Sequence, residues 1–234
     1  MIKNETKKVI IGDQTRSGSR YTTANMIDTS VDWINLSKYS SVNNNFIQDL
    51  PTKSIPEIIS ACSELHPTFA EIVVDLDSSL SEYECIMVIR NPISRYVSGW
   101  KKLQERKETA GISFDQILIT EFNNKVLTNI EMPWHFDKKL SSWFLDENSN
   151  PLSVTILDFE DLVNEITGLI TRLTYSIPST INDIVNNSPD FPSTSTGYEN
   201  WMTQSTYDLL TTYLADDITY YESLGFTMPT LLNP

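Results

Sequence analysis

At 234 residues the chain is long enough for one α/β domain with a substantial core, and no Gly/Ser linker, internal repeat or low-complexity block divides it. Thirty-one acidic against seventeen basic residues give a net charge of −14, which excludes general nucleic-acid binding and argues against a heavily sulfated polyanion as partner. Two cysteines, Cys62 and Cys85, are too few for a disulfide framework and lack zinc spacing. No apolar run reaches the roughly eighteen residues of a membrane span, and the polar N-terminus does not read as a secretory signal, so the cytoplasm is the expected location.

The elements follow in chain order from hydrophobic periodicity and its breakers. Lys8-Val9-Ile10-Ile11-Gly12 reads as a first strand, followed by the loop Asp13–Arg20 and a helix start over Tyr21–Ile27. Ser54–Cys62 reads as a helix with Pro56 near its start, and Glu71–Leu76 as a short strand or apolar loop. Ile86-Met87-Val88-Ile89 is a buried strand. Behind it, Ile93, Tyr96, Val97, Trp100 and Leu103 recur at the spacing of a helix with one apolar face. Ser113–Ile119 starts another helix with Ser113 as its N-cap, and Leu152–Leu157 is β-rich. Leu162, Val163, Ile166, Leu169, Ile170 and Leu173 mark an amphipathic helix. A final helix runs from about Thr203 to Ser223, with Tyr207, Leu210, Leu214, Ile218 and Tyr221 on one face. Strands alternating with helices predict an α/β fold whose central sheet is mainly parallel and flanked by helices on both faces.

Chemistry concentrates in Arg90-Asn91-Pro92-Ile93-Ser94-Arg95-Tyr96-Val97-Ser98, an arginine at a strand end, a proline in the first helical turn and a serine two turns on. Pro92 suits that turn because the N–H it lacks would have no helical partner there. Backbone N–H groups and the helix dipole make such a start an anion site, to which Arg90 adds a charged fork and Ser98 a neutral donor. The pattern R-x-P-x-x-R-x-x-S after a hydrophobic strand resembles the 3′-phosphate-binding motif of sulfotransferases, which use phosphoadenosine phosphosulfate (PAPS) as sulfuryl donor. Asn91 stands where that family usually has Asp, a change of charge that keeps a good helix cap.

The loop after the first strand resembles the family's 5′-phosphosulfate loop, P-K-x-G-T-T or, in bacterial members, P-R-S-G-[ST]-T, through Arg16, Ser17, Gly18 and Ser19. Gln14 or Thr15 stands in place of the proline, and Arg20 in place of a hydroxyl residue. Such a loop wraps its backbone round a phosphate, with Gly18 allowing close approach, Ser19 donating, and Arg20 and Tyr21 leading into the helix. Arg16 would neutralise charge on the bridging oxygen as the nucleotide departs, with a planar fork in place of the usual ammonium. A P-loop NTPase or nucleotide kinase shares the strand, loop and helix but needs a lysine after its second glycine, whereas Ser19 and Arg20 follow Gly18.

Two later segments are similar to the family in the same order. Ile156–Leu162 resembles its v-x-y/f-E-D-L run, and Tyr213–Phe226 its closing Y-x-x-D-x-x-x-Y/F-x-x-L-G-Y/F. The resemblance so extends over most of the chain, and it implies that 1–234 is one sulfotransferase domain of carbohydrate type, similar to the group containing heparan 2-O- and chondroitin sulfotransferases, in a soluble, bacterial-like form with a P-loop-like fold. The resemblance implies in-line transfer of a sulfuryl group from PAPS to an acceptor hydroxyl, with a carbohydrate as the expected acceptor. No metal is expected, since cationic side chains can do the electrostatic work.

His66 is implied as the base, because Glu64-Leu65-His66-Pro67-Thr68-Phe69 resembles the G-H-x-x-F segment of heparan 2-O-sulfotransferases, with Leu65 for the glycine. His135, in Met132-Pro133-Trp134-His135-Phe136-Asp137, resembles the H-W/T-x-P-Q segment of chondroitin-type and bacterial members and would shape the acceptor site. A neutral imidazole suits a base near neutral pH, and Glu71 is the carboxylate that could replace it. Trp33, Trp134, Trp143 and Trp201 are candidates for sugar stacking or for packing, and Lys101, Lys102, Arg106 and Lys107 read as a solvated cationic helix face. A PAP- or carbohydrate-binding protein of the same fold without turnover is the alternative function.

Overall fold

The structure, a computed structural model, describes residues 1–12, 22, 25–27, 29–36, 67–76, 78–107, 138–176, 198–200 and 202–231. The expected loop over Asp13–Arg20 and the expected helices over Ser54–Cys62 and Ser113–Ile119 lie outside the described residues. The strands are β1 (Ile2–Asn4), β2 (Val9–Gly12), β3 (Trp33–Asn35), β4 (Glu84–Ile89) and β5 (Val154–Asp158). The described α-helices are α1 (Pro92–Lys107), α2 (Leu162–Arg172), α3 (Gln204–Tyr213) and α4 (Ala215–Ser223). Two compact units emerge, one of Met1–Val42, Ser63–Arg90 and Ser141–Phe191, the other of Asn43–Cys62, Asn91–Leu140 and Pro192–Pro234.

The first unit holds a mixed sheet in the order β3-β1-β2-β4-β5. β2, β4 and β5 run parallel, with Gly12 opposite Met87 and Ile89 opposite Asp158. β1 is antiparallel to both β2 and β3. This corrects the expectation of a mainly parallel sheet. The residues before β2 fold back as a hairpin and so reverse direction on that side.

A polar network holds the hairpin. Lys7 donates its N–H to Asn4 Oδ1 at 2.9 Å. Glu5 accepts the Tyr83 hydroxyl at 2.7 and 2.6 Å and pairs with Lys3 at 2.9 Å and Lys8 at 3.2 Å. Hydrogen bonds from Tyr83 and then Lys3 hold the Glu5 carboxyl down to about 2. That lies below the value of an unfolded glutamate, about 4.3, so on acidification the unfolded state takes up the proton first. The network's contribution is complete above about pH 4.3 and is lost as the pH falls towards about 2. Glu5→Gln should therefore lower stability in urea by about 1 kcal/mol at pH 7, the carboxylate being partly exposed and screened. The gap between parent and variant should close on acidification. A gap that persisted at low pH would assign the effect to something other than the charge.

Ile2, Val9, Ile11, Ile86, Val88 and Leu157 lie on one sheet face and pack with Leu162, Ile166, Leu169 and Ile170 of α2. Ile10, Cys85, Met87 and Ile89 alternate onto the other face and are equally buried, as expected of strands covered on both sides. Burial pushes the Cys85 thiol up to about 12, so it packs as a small apolar group and is inert as a nucleophile. Glu84 accepts Arg172 through both carboxylate oxygens at 2.8 and 2.7 Å and the Thr155 hydroxyl at 2.9 Å. These bonds tie α2 and β5 to the start of β4.

The apolar run after Phe69 forms a 3-10 helix, Ala70–Asp75, in place of the expected strand or loop. Glu71 Oε2 accepts the Thr68 N–H at 2.6 Å and so closes its first turn. Phe69 is fully buried and reaches the end of β2, where a Cβ on Gly12 would stand 3.0 Å from its Cζ. A side chain at Gly12 would thus press on the tip of the Phe69 ring, which would have to shift by a few tenths of an ångström.

In the second unit, Ile93, Tyr96 and Val97 of α1 pack with Tyr198, Met202, Leu210 and Leu214. The expected single C-terminal helix is two helices broken at Leu214, whose φ of −100° and ψ of 17° leave the helical range. Gly225 ends α4 with φ of +93°, its N–H bonded to the Glu222 carbonyl at 2.9 Å, a left-handed stop that glycine adopts without strain.

Candidate functional site

The helix that carries the expected phosphate motif starts on Asn91. Its Oδ1 accepts the N–H groups of Ile93 at 2.9 Å and Ser94 at 3.0 Å, two donors that the helix itself cannot satisfy. The Tyr198 hydroxyl also donates to Oδ1, at 3.3 Å, while Nδ2 donates to the sulfur of Met228 at 3.3 Å. Burial holds the Tyr198 phenol well above its ordinary value, so it remains a donor. An aspartate could cap the helix but could not donate to Met228. The residue that departs from the family pattern is thus fitted to its surroundings.

The first two turns of α1 are buried on every side. Asn91, Ser94 and Ser98 share one face at helical spacing and are only 2–4% exposed. The spacing of Ile93, Tyr96 and Val97 predicts one apolar face, and in the structure the polar face is buried as well. Arg95, 2% exposed, places Nη1 3.9 Å from Oδ2 of the buried Asp217. Asp217 Oδ1 accepts the Leu140 N–H at 2.8 Å. Burial raises the Asp217 carboxyl above its ordinary value, opposed by the Leu140 bond and by Arg95.

Sequence reasoning did not single out Asp217, although the signal was present. Counting back from Leu224-Gly225-Phe226 puts the aspartate of the closing pattern at 217 and its aromatic at Tyr221. Both are buried, whereas Asp216 lies on the surface paired with Lys139. Tyr221 stacks on Phe226 with ring centroids 4.8 Å apart.

Arg90 follows the last residue of β4, is 5% exposed, and lies with its guanidinium carbon 4.1 Å from the centroid of the Phe159 ring. Phe159 begins a short 3-10 helix, Phe159–Asp161, within the F-E-D-L run. Arg16, Ser17, Gly18, Ser19, Arg20, Tyr21, His66 and His135 lie outside the described residues. β2 and β4 are adjacent and parallel, so the chain leaves β2 after Gly12 and β4 after Ile89 at the same sheet edge. That carboxyl edge is where open α/β sheets carry ligands. Phe69, three residues after His66 in the sequence, packs against Gly12, the last residue of β2.

A model of the Sulfotransferase family matches residues 15–206, a span that includes most of the loop, His66, the Arg90 motif and the F-E-D-L run. The chain belongs to the Sulfotransferase family. No curated protein and no solved structure compared with it gives a match. In this sulfotransferase-family chain, Trp33 and Trp143 are buried and serve packing, while Trp134 and Trp201 lie outside the described residues. The side chains of Lys101, Lys102, Arg106 and Lys107 on α1 also lie outside them. Among the described residues no group of His, Cys, Asp and Glu could hold a metal ion, and no helix is long and apolar enough to cross a membrane.

Proposed function

We propose that residues 1–234 form one sulfotransferase domain, P-loop-like in its arrangement, that moves a sulfuryl group from PAPS to a hydroxyl of a carbohydrate. The observation that supports this reading is that β2 and β4, which the two family phosphate segments follow in the sequence, are neighbouring parallel strands ending at one sheet edge. Each group suits a phosphate by its own chemistry: Arg90 brings a buried guanidinium, and Ser98 a buried hydroxyl on a helix whose start is capped by a neutral amide. PAPS supplies the activated sulfuryl group and a 3′-phosphate by which it can be told from other nucleotides.

Arg90 and Ser98 take the 3′-phosphate, and the loop Ser17, Gly18, Ser19, Arg20 and Tyr21 takes the 5′ side. Arg16 neutralises charge on the departing nucleotide oxygen. His66 accepts the proton of the attacking hydroxyl, and His135 shapes the acceptor site. Support for His66 is that Phe69, three residues on in the sequence, packs against Gly12 at the end of β2. Glu71 suits the role less well, being exposed and having one oxygen engaged in closing its own helical turn.

Calorimetry should show PAP binding far more tightly than ATP and without magnesium. Equal or metal-dependent ATP binding would return the chain to the NTPase reading. Incubation with sulfur-labelled PAPS and a panel of glycans, lipids and small alcohols then tests the acceptor class. Label reaching only lipids or small alcohols would overturn the carbohydrate assignment.

A further inference from the structure

The motif arginine does not stand alone at the end of its strand. In the parallel register Ile89 lies opposite Asp158, so the next residues, Arg90 and Phe159, leave the sheet as neighbours. Asp158 Oδ1 accepts the Glu160 N–H at 2.9 Å and fixes the turn on which Phe159 sits. The Phe159 ring packs against the core cluster that includes Leu162 and Ile166. On this anchored ring lies the Arg90 guanidinium, 4.1 Å from the centroid and almost fully removed from solvent. A cation over an aromatic face is held more strongly when desolvated. The contact sets the guanidinium carbon over the ring, whereas the forked bonds that grip a phosphate are made from the N–H edge of the group.

We propose that Phe159 is the positioning residue for Arg90, and that its ring thereby sets the preference for nucleotides carrying a 3′-phosphate. The proposal rests on the reading that Arg90 binds that phosphate. It gives the aromatic of the F-E-D-L run a part in donor recognition beyond filling the core.

The test is calorimetry with PAP and with AMP, which lacks the 3′-phosphate, on the parent, Phe159→Leu and Phe159→Tyr. Phe159→Leu should weaken PAP binding about three- to thirtyfold, the span of a cation–π contact, and leave AMP binding unchanged. Phe159→Tyr keeps the aromatic face and should restore PAP binding. In an Arg90→Met background, which has no cation to place over the ring, Phe159→Leu should have no further effect on PAP. Thermal melting checks that each variant is folded, and Phe159→Met, closer in volume, carries the same expectation if the leucine variant is not. A parent that binds PAP no better than AMP would sink the 3′-phosphate reading itself. A parent with that preference, unaltered in the folded Phe159→Leu or Phe159→Met protein, would sink the role of Phe159 alone.

Discussion

His66→Ala should leave PAP affinity nearly intact and reduce turnover by roughly two to four orders of magnitude, the usual scale for loss of a general base. The two constants separate because the proposed role of His66 is toward the acceptor proton and not toward the nucleotide. In the parent, turnover should fall on the acid side of an apparent pKa between about 6 and 7, as imidazole takes up a proton. His135→Ala should instead raise the Michaelis constant of the acceptor. If His66→Ala turned over normally while His135→Ala was dead, the two assignments would exchange. If both remained active, a carboxylate would have to be the base, and Glu71 would be the first to replace.

The second large effect is expected at Arg90. Arg90→Ala removes charge-assisted hydrogen bonds worth about 1.5–3 kcal/mol, so PAP should bind roughly ten- to a hundredfold more weakly. Arg90 is 5% exposed and lies over Phe159, so its removal also uncovers an apolar ring, and the melting temperature should be recorded beside the affinity. The diagnostic quantity is the ratio of PAP to AMP affinity. It should collapse towards unity in the variant, whereas equal weakening of both nucleotides would make Arg90 a structural residue.

The parts of this fold that carry the phosphate motif were the most legible in the sequence. β4 showed as an unbroken apolar run because it is covered on both faces, and α1 showed through Pro92 and the spacing of Ile93, Tyr96 and Val97. β1 and β3 did not show. Each is three residues long, too short for alternation to appear, and Lys3 in β1 is 5% exposed and paired with Glu5, so a buried position reads as polar. The run Ile72-Val73-Val74 has β-type residues yet lies in a 3-10 helix, where the Glu71–Thr68 bond outweighs propensity. The break at Leu214 has no glycine or proline to announce it. For the site, Arg90 and the cap at Asn91 were legible from spacing. The partners of Arg90 and Arg95 were not, because Phe159 and Asp217 meet them through tertiary packing, far along the chain.

The strand order has a kinetic consequence. β1 and β2 meet across a short turn, and such hairpins close in microseconds. The pairings of β2 with β4 and of β4 with β5 each close a loop of roughly seventy residues, and long-range pairings of this kind are slow. During synthesis the apolar strand Cys85–Ile89 must therefore wait with one edge open until Asp158 has emerged from the ribosome. The sheet edge that carries Arg90 is thus completed well after the hairpin, and until then the waiting strand is exposed to aggregation.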